Sequence, residues 1–183
     1  MPLLTSTPPQ IAFFQVLIEL YGQKSFDSAF KQIEILLKKF PKSARLRNIQ
    51  GIFRIEVKQF DAAIMSFDNA IRMNPDYFQA YNNKGNALKE EGKFETAEMN
   101  YAKALEINPA YFEAHANLAK TRQLQGNLEG AIESYKQAIN LKPESFELHL
   151  DMAKALTATG QLEVAVKSYR TAIELNKEHS DAY

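Results

Sequence analysis

Small and bulky apolar positions return along this chain at one fixed step of 34 residues. Alanines stand at Ala29, Ala63, Ala97, Ala131 and Ala165, and a bulky series runs Ile33, Phe67, Tyr101, Tyr135, Tyr169. A third series reads Leu36, Ala70, Ala104, Ala138, Ala172, and prolines fall at Pro41, Pro75, Pro109 and Pro143. Four series in one register mark a stack of small supersecondary units rather than a single closed core. Within each unit the apolar and small residues lie three and four apart, which is the period of a helix with one buried stripe. In the third unit the first stripe is Tyr81, Lys84 (by its stem), Gly85 and Leu88. The second is Phe94, Ala97, Tyr101, Ala104 and Leu105.

The residues between the stripes predict the turns. Gly92, Gly126 and Gly160 separate the two helices of their units, and glycine accepts the left-handed conformation that ends a helix. An acidic residue follows at Asp27, Asp61, Glu95, Glu129 and Glu163, where it complements the positive end of the second helix. Asn74–Pro75 and Asn108–Pro109 then stop that helix, because the residue before proline avoids the helical region. No stretch shows sustained alternation, so no sheet is expected. The pattern predicts five antiparallel helix pairs, at residues 10–43, 44–77, 78–111, 112–145 and 146–179, after a leading segment of residues 1–9. One pair cannot bury both its faces, so the pairs stack into a curved solenoid with a concave side. Residues 180–183 align with the opening of the third repeat and read as the start of a truncated sixth, so the chain is expected to be part of something longer.

Composition removes several function classes. The 183 residues carry 22 basic and 22 acidic side chains, a net charge of zero, which argues against a nucleic-acid or anionic-membrane surface. No apolar run is long enough to span a membrane, and residues 1–10 contain no basic residue and do not resemble a secretory signal. Without cysteine there are no disulfides or thiolate metal sites, and cytoplasmic is the default location. No acid, base and nucleophile converge, so catalytic residues, metal and cofactor are all read as none. His115 and His149 lie one repeat apart but read as replacements for the packing aromatic Tyr81 rather than as a metal pair.

The chain resembles the tetratricopeptide repeat family, whose pattern is an aromatic, Leu-Gly, Tyr, then Ala, an aromatic, Ala and Pro. The third repeat carries it as Tyr81, Lys84–Gly85, Leu88, Ala97, Tyr101, Ala104, Pro109. The fourth reads His115, Leu118–Ala119, Arg122, Ala131, Tyr135, Ala138, Pro143, and the fifth keeps Ala165, Tyr169 and Ala172 with Lys177 in place of proline. In the second repeat Arg47 and Arg54 replace the aromatics, and in the first Leu17 stands where glycine is usual. The resemblance implies an all-α right-handed superhelical solenoid that binds a protein or peptide partner along its concave groove.

Helical phase puts Gln79, Asn82, Asn83 and Asn86 opposite the third repeat's stripe, and the resemblance makes that side the groove. Asn48, Asn117, Lys120 and Lys154 join them from the other repeats. Carboxamides both donate and accept, so they can bracket a peptide backbone. Asn83 and Asn117 occupy the position of the asparagine ladder in O-linked N-acetylglucosamine transferases, a partial similarity, since Gln15, Ile49 and Asp151 hold it elsewhere. The carboxylate clamp of chaperone-binding members is rejected, because Glu147 and Asp151 stand where it needs bases. The N-terminal half of the groove is apolar, with Ile11, Phe14, Ile18, Ile49 and Ile52, and expects an occupant: residues 1–9 folded back, a second copy, or an apolar anchor of the partner. Self-association is the favoured of the three. The reading is a non-enzymatic interaction scaffold. The alternative is the N-terminal substrate-recruiting arm of a larger glycosyltransferase- or sulfotransferase-like enzyme.

Overall fold

The computed structural model describes the backbone of residues 9–181 and the side chains of residues 13–177. Among the described residues ten α-helices follow one another: α1 (Pro9–Gly22), α2 (Phe26–Lys39), α3 (Ala44–Glu56), α4 (Phe60–Met73), α5 (Phe78–Glu90), α6 (Phe94–Ile107), α7 (Phe112–Leu124), α8 (Leu128–Leu141), α9 (Phe146–Ala158) and α10 (Leu162–Asp181). The helices α3, α5, α7 and α9 begin 34 residues apart, as do the five even-numbered helices, so the period of the sequence is the period of the structure. The fold is an all-α helical repeat, and its backbone groups into two compact units, one ending at Pro75 and one beginning at Asp76.

Each helix pair turns in the same way. Lys93 N–H bonds Leu88 O at 2.9 Å and Gly92 N–H bonds Lys89 O at 2.9 Å, the paired bonds that close a helix on a left-handed residue. Gly92, Gly126 and Gly160 have φ of 74°, 78° and 75°. The first two repeats make this turn without glycine: Lys24 and Lys58 take φ of 53° and 58° at the matching positions. Before Pro41, Pro75, Pro109 and Pro143 the chain leaves the helical region, with φ of −129° at Phe40, −141° at Asn74, −133° at Asn108 and −141° at Lys142. Where Lys177 replaces proline the helix is not stopped, and α10 runs 20 residues, against 14 for α8. Ser180 and Asp181 therefore lie on α10, while residues 182 and 183 are outside the described part.

In the unit ending at Pro75, Leu17, Ala29, Ile33, Leu36, Leu46 and Phe53 form the core. Phe53 meets Tyr21, Phe26 and Phe30 edge-on at 5.4, 6.2 and 6.4 Å. In the second unit Tyr101 and Tyr135 are fully buried, Tyr135 packs with Ala131 and Ala138, and Tyr169 is partly buried against the last cluster. The single stripe expected on α5 is incomplete. Gly85 and Leu88 are buried, but so are Ala80, Asn82 and Ala87, while Tyr81 and Lys84 are only half-buried. The reason is that α5 packs on both α6 and α7, so two of its faces lose solvent.

Glycine in the first helix has a defined neighbour. A Cβ on Gly85 would meet the Tyr101 ring at 2.6 Å, and one on Gly51 the Phe67 ring at 2.4 Å. The first repeat fills the same space with Leu17 and Ile33, both buried. A larger first-helix residue is matched by a smaller second-helix one, which accounts for the departure at Leu17.

Candidate partner-binding groove

The amides of α5 and α7 join into one chain of hydrogen bonds. Asn117 donates through Nδ2 to Asn82 Oδ1 at 2.9 Å, and Asn82 donates through Nδ2 to Asn83 Oδ1 at 3.4 Å. Asn82 is 3% exposed, while Asn83 and Asn117 are half-buried. Asn86 is tied to the second helix, accepting from the Tyr101 hydroxyl at 2.9 Å. Burial pushes that phenol well above its ordinary range, so it stays a neutral donor. Thr121 Oγ1 donates to Asn117 O at 2.8 Å and steadies the next turn of α7.

A charged triad joins α7 to α9. Asp151 on α9 is bonded by Lys154 at 2.9 Å and faces Lys120 of α7 at 3.5 Å, giving a local charge of plus one. Both lysines are half exposed, and Asp151 is mostly covered. The acid that argues against a carboxylate clamp is therefore already matched by two bases. Gln79 is half-buried at the start of α5.

In the first unit the expected groove residues separate. Asn48 is 5% exposed, so it is a buried polar group of α3 rather than an open position. Ile49 packs on the N-terminal core, and Ile52 is half-buried. Phe14 is half-buried under the Arg45 guanidinium, 3.8 Å from its ring centre. Ile18 is 70% exposed. The side chain of Ile11 falls outside the described part. The apolar set is thus one exposed isoleucine beside partly covered neighbours.

The sequence pattern does not expose a pair of arginine contacts, and it gives the two histidines a packing role without their hydrogen bonds. Arg54 donates through Nη1 to Ala62 O and to Ser66 Oγ, both at 2.8 Å, and Arg122 makes the same pair to Gly130 O at 3.3 Å and Ser134 Oγ at 2.9 Å. These arginines bolt the two helices of the second and fourth repeats, and both motifs lie at the same register positions. His115 and His149 place Nε2 at 3.0 and 2.9 Å from the carbonyls of Pro109 and Pro143, closing the turn before their own helix.

Family models described as TPR repeat and tetratricopeptide repeat match residues 85–126, 124–160, 66–99 and 146–179. The chain belongs to the tetratricopeptide repeat family. No curated protein sequence matches it. Among solved structures it is similar to MamA, at 21% identity and TM-score 0.80 over 91% of this chain and 97% of that one. It is also similar to PilF of Pseudomonas aeruginosa, at 18% and 0.82 over 89% and 74%. A thermophilic TPR protein of Thermus thermophilus matches at 21% and 0.75 over 93% of each. At these identities the likeness is one of fold. Tetratricopeptide repeats serve generally as protein-interaction scaffolds, and among the described residues no helix is long and apolar enough to cross a membrane.

Proposed function

We propose that the chain binds an extended peptide segment of a protein partner along the first helices of its third to fifth repeats. The observation that carries this reading is the amide chain Asn117–Asn82–Asn83. Carboxamides held by one another are already oriented, so a peptide backbone can bond to them without first ordering them. The Lys120–Asp151–Lys154 triad supports the same reading, since its excess positive charge suits a polar or acidic neighbour on the peptide.

A peptide library selected on the full chain tests this. Against the selected peptide, Asn83→Ala with Asn117→Ala should weaken binding about thirtyfold, from two hydrogen bonds of roughly 1 kcal/mol each. The fold should persist at a cost of about 1 kcal/mol, because the Asn82 carboxamide loses partners. Unchanged affinity in the double variant would reject the amide groove.

A further inference from the structure

In the third repeat Phe78, the first residue of α5, meets Tyr111, the residue before α7, edge-on at 4.9 Å. Two repeats earlier the same register positions hold Gln10 and Ser43. Neither can supply an aromatic ring. Where Ser43 stands, the first unit has a cavity of about 490 Å³, lined by Phe13, Phe14, Leu36, Phe40 and Leu46 on its apolar side. Lys39 and Lys42 also line it, and among the described residues no carboxylate does. The Lys39 ammonium lies 5.4 and 5.6 Å from the ring centres of Phe13 and Phe40, and Arg45 covers Phe14. Three cations thus gather at one apolar opening, in a chain whose net charge is zero.

We infer that this cavity is an anchor pocket for an acidic partner segment, which inserts one aromatic side chain where the third repeat uses its own Tyr111. The ring would take the apolar wall, and flanking carboxylates would meet Lys39, Lys42 and Arg45. Such an occupant satisfies both halves of the site: a ring beside aromatic edges and cations, and negative charge on a positive rim. The chain's own first twelve residues contain neither an aromatic nor an acidic residue, so they offer neither half. The inference deepens the scaffold reading and rests on it, but uses a different unit from the amide groove.

The test is fluorescence anisotropy on the full chain with a labelled peptide carrying a single phenylalanine flanked by glutamates. Saturable binding should weaken as salt rises. It should fall at least about tenfold when the peptide's phenylalanine becomes alanine, and comparably when its glutamates become lysines. Ser43→Tyr should plug the pocket and lower affinity by a similar factor. Because Ser43 Oγ also caps α3, accepting from Leu46 N–H at 3.3 Å, the exposed pair Lys39→Glu with Lys42→Glu serves as the second variant. Absence of saturable binding overturns the pocket, as does equal binding by folded Ser43→Tyr and by the charge-reversed pair. Tighter binding after Leu3→Ser with Leu4→Ser would make the leading segment the occupant. A concentration-dependent dimer in sedimentation that Ser43→Tyr abolishes would make it a second copy. Either result overturns the proposal. Binding of dodecanoate in place of the peptide does so as well. If the pocket variants leave a library-selected peptide bound while Asn83→Ala with Asn117→Ala releases it, only the pocket fails and the scaffold reading stands.

Discussion

Exchanging the residue pair at Gly51 and Phe67 for the pair that the first repeat uses probes how this fold divides volume between its helices. A Cβ at residue 51 would stand 2.4 Å from Phe67 Cε1 and 2.6 Å from Cζ, about 1 Å short of the 3.4 Å at which ordinary contact begins. The ring is fully buried and has no open side to retreat to. Gly51→Leu therefore sets two terms against each other. Replacing glycine in a helix interior gains about 0.8–1 kcal/mol. Overpacking costs about 1–3 kcal/mol, toward the upper end for a branched side chain meeting a ring. The net expectation is a loss of about 2 kcal/mol. Phe67→Ile alone opens a gap beside glycine and loses about 2 kcal/mol as well.

Together the two changes reproduce Leu17 and Ile33, which pack at 2% and 0% exposure. The double variant should lose no more than about 1 kcal/mol, a coupling of about 3 kcal/mol in the favourable direction, at the top of what neighbouring residues show. Urea unfolding followed by circular dichroism, with midpoint and slope both read, measures all four corners of the cycle. Additive losses, with coupling below about 0.5 kcal/mol, would refute the exchange of volume between helices. A wild-type-like Gly51→Leu would refute the close ring contact itself.

Three further predictions come from other parts of the fold. Lys58→Gly relieves a left-handed lysine worth about 1–2 kcal/mol and gives back about 0.4–1 kcal/mol through the unfolded chain. Stability read from the urea midpoint should therefore rise by roughly 0.5–1 kcal/mol, with Lys24→Gly behaving alike, and a fall in midpoint would reject the strain. Arg122→Leu removes the bonds to Ser134, Gly130 and Glu98, although Ser134 keeps its own bond to Gly130 O at 2.9 Å. It should cost about 1–2 kcal/mol, and an unchanged unfolding curve would show that the bolt is not structural. Tyr21 is pushed up to about 12 by its bond to Glu56 and by burial, and Tyr111 to about 12 by burial, from an ordinary 10.0. Their folded values exceed the unfolded one, so their stabilisation is complete below pH 10 and declines as pH rises toward 12. Phenolate absorbance should lag that of the unfolded chain, and Tyr21→Phe should remove its share of the decline.

What the sequence discloses here is what repeats. Ala97, Tyr101 and Pro109 recur at one step, and the helices, turns and buried tyrosines follow from that recurrence alone. The groove was less legible, because a helical wheel assigns one buried face, whereas α5 has neighbours on two sides. Asn82 thus lies opposite the stripe and is still buried, its carboxamide engaged by Asn117 across the repeat. Lys24 and Lys58 hide their left-handed turns for a different reason: glycine announces such a conformation and lysine does not, so only the 34-residue step from Gly92 could have exposed them. The same comparison would have found the arginine bolts. Arg54 and Ser66 recur as Arg122 and Ser134 two repeats on, and a twelve-residue spacing becomes a contact once the helices on either side are known to pair. In a repeat array each position is a comparison with its own copies: Ser43 has Tyr77, Tyr111 and Ser145 as counterparts, so the serine alone marks nothing, and what sets the first repeat apart is the cavity beside it, with Lys39 and Lys42 in its lining.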